Sequence, residues 1–141
     1  MKKYLLLLLV ILLTCFTVAC HKTEPESQVQ ETETEAPRVI YKNITAEEAK
    51  QIMDGETGYV ILDVRTAEEF AEGHIPGAVL IPNDEITEKA ETILPDKNQK
   101  ILVYCRSGRR SKLAAEALLT IGYTNIWEFG GIIDWPYEIE K

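Results

Sequence analysis

Lys100-Ile101-Leu102-Val103-Tyr104-Cys105-Arg106-Ser107-Gly108-Arg109-Arg110-Ser111 is the stretch from which the fold is read. An apolar run of strand length stops at a cysteine, and a short basic loop follows. A helix-forming segment then extends from Ser111 to Ile121. A continuous apolar run, rather than an alternating one, suits a strand covered on both faces, as in a parallel sheet. In the helix, Leu113, Ala114, Ala117, Leu118 and Ile121 are expected to form the buried stripe, and Gly122 supplies the stop. Open parallel sheets bind ligands at the carboxyl ends of their strands, which is where Cys105 falls. The amides of the loop can converge on an anion, and the helix N-terminus adds positive potential. Arg106, Arg109 and Arg110 bring three arginines into five residues. Each influence favours thiolate over thiol, so Cys105 is expected to have a lowered pKa and to be nucleophilic near neutral pH.

Reading outward, strand and helix signals alternate. Val39 to Ile44 is extended. Thr45-Ala46-Glu47-Glu48 is a capping box opening a helix that ends near Gly55. Tyr59-Val60-Ile61-Leu62-Asp63-Val64 is a second continuous apolar run. Thr66-Ala67-Glu68-Glu69 repeats the capping box for a short helix to about Glu72, and Gly73-His74-Ile75-Pro76-Gly77 reads as a turn. Ala78 to Ile81 is extended, Asp84 to Leu94 is helical up to Pro95, and Asn125 to Phe129 is a last strand. Gly130-Gly131 leads into a helical turn around Ile132 to Trp135. This alternation predicts an α/β domain with a parallel sheet.

The 141 residues leave room for one ordinary domain, and 45% hydrophobic with 27% charged residues suits a globular protein. The formal charge is −8 and becomes more negative once Lys2 and Lys3 are removed, which speaks against a nucleic-acid partner. Residues 1–19 differ from the rest. A basic start precedes the 16-residue apolar run Tyr4 to Ala19, short for a membrane span of roughly 20 residues and of signal-peptide length. Its end, Ala19-Cys20, resembles the bacterial lipoprotein cleavage box, although Thr17 stands where that pattern prefers Leu. Lipidation at Cys20, an uncleaved anchor and ordinary secretion are three readings of this segment, and lipidation is the expected one. All three place the domain in the cell envelope or beyond it. Residues 20–38 are rich in Glu, Thr and Gln with Pro25 and Pro37, too polar to build a core, and read as an acidic tether. The folded domain is then 39–141.

With Cys15 leaving in the signal and Cys20 carrying lipid, Cys105 is the free thiol of the mature chain. It is either buried and inert or kept for its chemistry. His21 and His74 are the only histidines and neither has ligand spacing with Cys105, so no metal is expected. No second cysteine follows Cys105 to resolve a disulfide.

The blocks Ile61-Leu62-Asp63-Val64-Arg65 with Glu68-Glu69-Phe70, Gly73-His74-Ile75-Pro76-Gly77-Ala78, Val103 to Ser111, and Gly130-Gly131-Ile132 through Trp135 resemble, in order, the rhodanese-like sulfurtransferases. The resemblance implies a five-stranded parallel sheet flanked by helices on both faces. It also implies a persulfide on Cys105, formed with a small anionic sulfur donor such as thiosulfate and passed to a thiol or cyanide acceptor, with no cofactor. The loop residues Arg106, Ser107, Gly108, Arg109, Arg110 and Ser111 would cradle the outer sulfur and attract the donor, with Arg65 as a further candidate for substrate binding. Asp63 is expected to brace the site. His74 belongs to a structural turn, and Trp127 and Trp135 to the core. Related phosphatases and arsenate reductases place five residues between cysteine and arginine. Arg110 comes one position too early for that wider cradle, so phosphatase activity is not expected. The chain is expected to be monomeric. A non-catalytic sulfur carrier or docking module is the alternative, and the intact loop favours the enzyme.

Overall fold

The computed structural model describes residues 38–141. The signal, Cys20 and nearly all of the tether lie outside the described residues. Five strands form one all-parallel sheet: β1 Ile40–Asn43, β2 Tyr59–Asp63, β3 Val79–Leu80, β4 Lys100–Cys105 and β5 Asn125–Gly131, in the order β1-β5-β4-β2-β3. Between them lie α1 Ala46–Gly55, α2 Ala67–Glu72, α3 Ile86–Ile93 and α4 Arg109–Thr120, with 3-10 turns at Asn83–Glu85 and Ile132–Asp134. The strand that ends at Cys105 is thus the middle one.

Both capping boxes form as the sequence requires. Glu48 N–H donates to Thr45 Oγ1 at 3.1 Å while Thr45 N–H donates back to Glu48 at 2.7 Å. Thr66 and Glu69 exchange the same pair of bonds at 3.1 and 3.2 Å. Each box satisfies two amides that a helix start would otherwise leave without partners.

Strand alternation divides the core. Leu62, Val64, Ile101, Val103, Cys105 and Ile126 face α3 and α4, where Ile86, Ala90, Ala114, Ala115 and Leu118 cover them. Ile61, Leu102, Tyr104 and Phe129 face the other way, toward Ala49 of α1 and Trp135. Helices therefore cover both faces. Each fully buried aliphatic side chain stabilises the fold by roughly 1.5–3 kcal/mol.

Four details differ from the sequence reading. β3 is only two residues long, and β5 continues through Gly131. Helix α4 starts at Arg109 rather than Ser111, because Gly108 at φ +93° turns the chain directly into it. The buried face of α4 is Ser111, Ala114, Ala115 and Leu118, whereas Leu113 is 45% exposed. The inward stripe is rotated so that a serine, not a leucine, faces the end of β4.

Candidate active site

The sulfur of Cys105 sits at the junction of β4 and α4, on the face shared with α4. Its residue is 1% exposed. Gly108 N–H donates to Sγ at 3.1 Å, and Ser111 Oγ lies 3.6 Å away. Burial pushes the thiol pKa up. Hydrogen bonding from the Ser111 hydroxyl and from the amides of Ser111, Ser107 and Gly108 outweighs burial and brings the pKa below that of an ordinary thiol. The lowered pKa expected from the sequence is present, and the loop amides contribute to it as expected, together with the Ser111 hydroxyl; the arginines are not among its leading causes.

The arginines are placed differently from one another. Arg106 and Arg109 are exposed on the loop and the first turn of α4. Arg110 is held by Glu69 of α2 in a two-pronged pair, Nη1 to Oε2 at 2.6 Å and Nη2 to Oε1 at 2.8 Å. Hydrogen bonds to Glu69 are the main reason Arg110 is held more firmly charged, and the charge of Cys105 is a smaller contribution. The same bonds drop the Glu69 carboxyl to about 2. Arg110 therefore anchors the loop more than it faces a substrate. Glu69 was read as a capping residue only, yet it caps α2 and grips α4 together.

Asp63 and Arg65 do not open onto the site. Asp63 is 0% and Arg65 5% exposed. Arg65 donates from Nε to both Asp63 oxygens at 3.0 Å, from Nη2 to Asp63 Oδ2 at 2.6 Å and to the Gly73 carbonyl at 2.8 Å. The guanidinium expected to meet an anionic donor is thus turned inward as a clamp between the end of β2 and the turn at Gly73. Asp63 is the carboxylate that holds it there. His74 stacks on Phe70 with ring centroids 3.7 Å apart, and its Nδ1 lies 3.0 Å from the Phe70 carbonyl. That placement is structural.

The end of β5 completes the cradle. The register of β4 and β5 slips after Val103↔Glu128, so that Cys105 lies beside Gly131. A methyl group on Gly131 would collide with the Arg106 carbonyl oxygen. Only glycine lets the loop pack there, and Ile133 N–H donates to the same carbonyl at 3.3 Å.

Beneath Ser111 lies a residue that the sequence reading passed over. Glu128 is 3% exposed and accepts from Ser111 Oγ at 2.5 Å and from Gly130 N–H at 3.0 Å. It shares its parity with Ile126, so an acid in an otherwise apolar strand was the available signal. Among the described residues no group of three His, Cys, Asp or Glu side chains is placed to hold a metal ion.

Comparison with known proteins agrees with this geometry. The profile of one family, the rhodanese-like domain, matches residues 45–136. The chain is 42% identical over 73 residues to the thiosulfate sulfurtransferase PspE of Escherichia coli, covering 52% of this chain and 70% of that protein. It is 34% identical over 97 residues to a sulfurtransferase of Allochromatium vinosum, covering 68% and 89%. Among solved structures, a rhodanese with anions from E. coli superposes with a TM-score of 0.56 at 38% identity, covering 59% of this chain and 98% of that one. A rhodanese-like domain protein of Staphylococcus aureus gives 0.61 at 36% identity, covering 71% and 97%.

Proposed function

The chain belongs to the rhodanese-like family, and from that premise we propose that it is a thiosulfate sulfurtransferase that carries sulfur as a persulfide on Cys105. The observation that supports this reading best is the Sγ of Cys105 within reach of the Gly108 amide and the Ser111 hydroxyl at the head of α4. The thiolate attacks the sulfane sulfur of thiosulfate. A new S–S bond forms to Cys105, the S–S bond of thiosulfate breaks, and its electron pair leaves with sulfite. The outer sulfur, now anionic, lies among amides placed to stabilise negative charge. An acceptor thiolate or cyanide then takes that sulfur, and the electron pair of the broken bond returns to Cys105. The displacement needs only a nucleophile, a leaving group and an anion cradle. Arg106 and Arg109, both exposed beside the loop, would draw the dianionic donor in.

The location is part of the same proposal. The basic start, the apolar run to Ala19 and the small residue before Cys20 support a lipid-anchored protein on the outer side of the membrane, with 20–38 as its tether. A Cys20→Ala variant is expected to remain unprocessed or to be released, and unchanged processing and attachment would refute the anchor.

Mass spectrometry of the purified chain tests the chemistry. Thiosulfate should add the mass of one sulfur atom to the reduced protein, and Cys105→Ser should abolish both the adduct and turnover with its fold intact. Absence of the adduct on demonstrably reduced Cys105 would leave a docking module. Turnover of an aryl phosphate that is lost with Cys105→Ser would place the loop with the phosphatases instead.

A further inference from the structure

Ser111 has one hydroxyl proton and four acceptors around it. Glu128 Oε1 is 2.5 Å away, the Gly108 carbonyl 3.0 Å, the Gly130 carbonyl 3.4 Å and Cys105 Sγ 3.6 Å. A carboxylate at the shortest distance takes that proton, because a charged acceptor makes the stronger bond. Cys105 is left with the smaller share of that proton. Glu128 sits on the same face as Cys105, one strand away, and its partners among the described residues are the Ser111 hydroxyl and the Gly130 amide, both on Oε1. Both donors converge on that one oxygen, which acts as an acceptor toward each. Nothing in the sulfur displacement uses this buried acid.

We propose that Glu128 is a positioning residue that competes with Cys105 for the Ser111 proton and thereby limits how much of Cys105 is thiolate. No covalent bond changes in this competition: the proton stays on Ser111 and only its direction shifts. The more of that proton Glu128 takes, the more the sulfur relies on the loop amides. With the Glu128 carboxyl replaced, the hydroxyl is free to turn to the sulfur. Other charged groups face the pair without entering the competition. Arg110 at the head of α4 senses the charges of Cys105 and Asp63 but is bound to Glu69 of α2. Arg65 is bound to Asp63 at the end of β2. Tyr41 of β1 is held above its ordinary range by burial and then by the charge of Glu128, with Glu116 of α4 a smaller influence. Of these groups, Ser111 is the one in hydrogen-bond reach of both the carboxylate and the sulfur.

The inference rests on Cys105 as the reacting thiol but not on the identity of the donor. The test therefore reads the thiol itself. The purified chain is alkylated with iodoacetamide, an uncharged probe that the arginines do not steer, across a range of pH. Two variants are compared with the parent: Glu128→Gln, which keeps a neutral acceptor, and Glu128→Leu, which removes it. Each should move the alkylation midpoint to lower pH, giving about tenfold more thiolate at a pH below both midpoints, the equivalent of one hydrogen bond to a charged group. In a Ser111→Ala background the same substitutions should leave the midpoint where Ser111→Ala alone puts it. A midpoint unchanged or raised in whichever variant keeps the parent far-ultraviolet spectrum overturns the proposal. A drop that persists in the Ser111→Ala background also overturns it, because the carboxylate would then act directly through space.

Discussion

Two guanidinium–carboxylate pairs lie at the carboxyl end of the sheet, and they do different work. Asp63–Arg65 is buried, with side-chain exposures of 0% and 6%. Glu69–Arg110 lies at the rim, at 21% and 24%. The buried pair joins residues two apart and pins the Gly73 turn. The rim pair joins the first turns of α2 and α4 and so holds the head of the helix that carries Ser111. The chemistry is the same, but the desolvation differs. A charge stranded in the core has no water to fall back on, whereas a charge stranded at the rim does. The first pair is therefore a matter of folding and the second a matter of aligning the site.

The widest separation should come from breaking each pair on one side. Arg65→Met strands the Asp63 carboxylate in the interior and is expected to cost about 3–5 kcal/mol in urea unfolding, while the fraction still folded retains a reactive thiol. A cost under about 1 kcal/mol would erase the distinction. Arg110→Ala should behave in the opposite sense, with at most about 1 kcal/mol of stability lost but sulfur transfer slowed by about threefold to tenfold as the head of α4 loosens, or about 0.7–1.4 kcal/mol of barrier. If Arg110→Ala unfolds the chain as readily as Arg65→Met, the two pairs are not different in kind.

The elements behind this contrast were legible to different degrees. The capping boxes at Thr45 and Thr66, the two continuous apolar strands and the strand–cysteine–helix junction depend on local spacing, and the structure reproduces them. The lowered pKa of Cys105 and the part of the loop amides in it follow from the sequence, whereas the part of the Ser111 hydroxyl does not. Three arginines adjacent in sequence suggested a cationic cup, whereas the partner of Arg110 is Glu69, 41 residues away. Arg65 was read as a candidate for donor binding because it ends a strand beside the site. Its inward rotation follows from Asp63 two residues earlier and from the Gly73 carbonyl, and a one-dimensional pattern does not encode that closure. Glu128 was hidden because a single acid in a short strand looks like an outward residue until the register with β4 is known.

Salt should sharpen the comparison further. A double-mutant cycle on Glu69 and Arg110 is expected to give a coupling of about 0.5 kcal/mol at low ionic strength that shrinks toward zero in 1 M salt. A cycle on Asp63 and Arg65 should be nearly insensitive to salt. Equal screening of both cycles would mean that the interior pair is hydrated.

The smallest effect concerns acid. Glu69 titrates at about 2 in the fold against an ordinary 4.5. A depressed carboxyl contributes stability that is complete above the ordinary value and is lost as pH falls through the folded one. The stability of the parent should therefore decline more steeply between pH 4.5 and 2 than that of Glu69→Gln. Parallel acid limbs would show that the rim pair does not stabilise the fold.

The missing side chain at Gly131 has a mechanical consequence. The Arg106 carbonyl fills the space that a methyl group there would claim, so the loop over Cys105 already rests against the backbone of β5. It has no slack on that side, and α4 closes the side behind it. Arg106 and Ser107 of the same loop are exposed, so the side of the cradle away from β5 is the one that faces solvent. The cradle has a hard stop at its back, and the two exposed arginines, Arg106 and Arg109, lie on its open side, where an incoming anion would meet them.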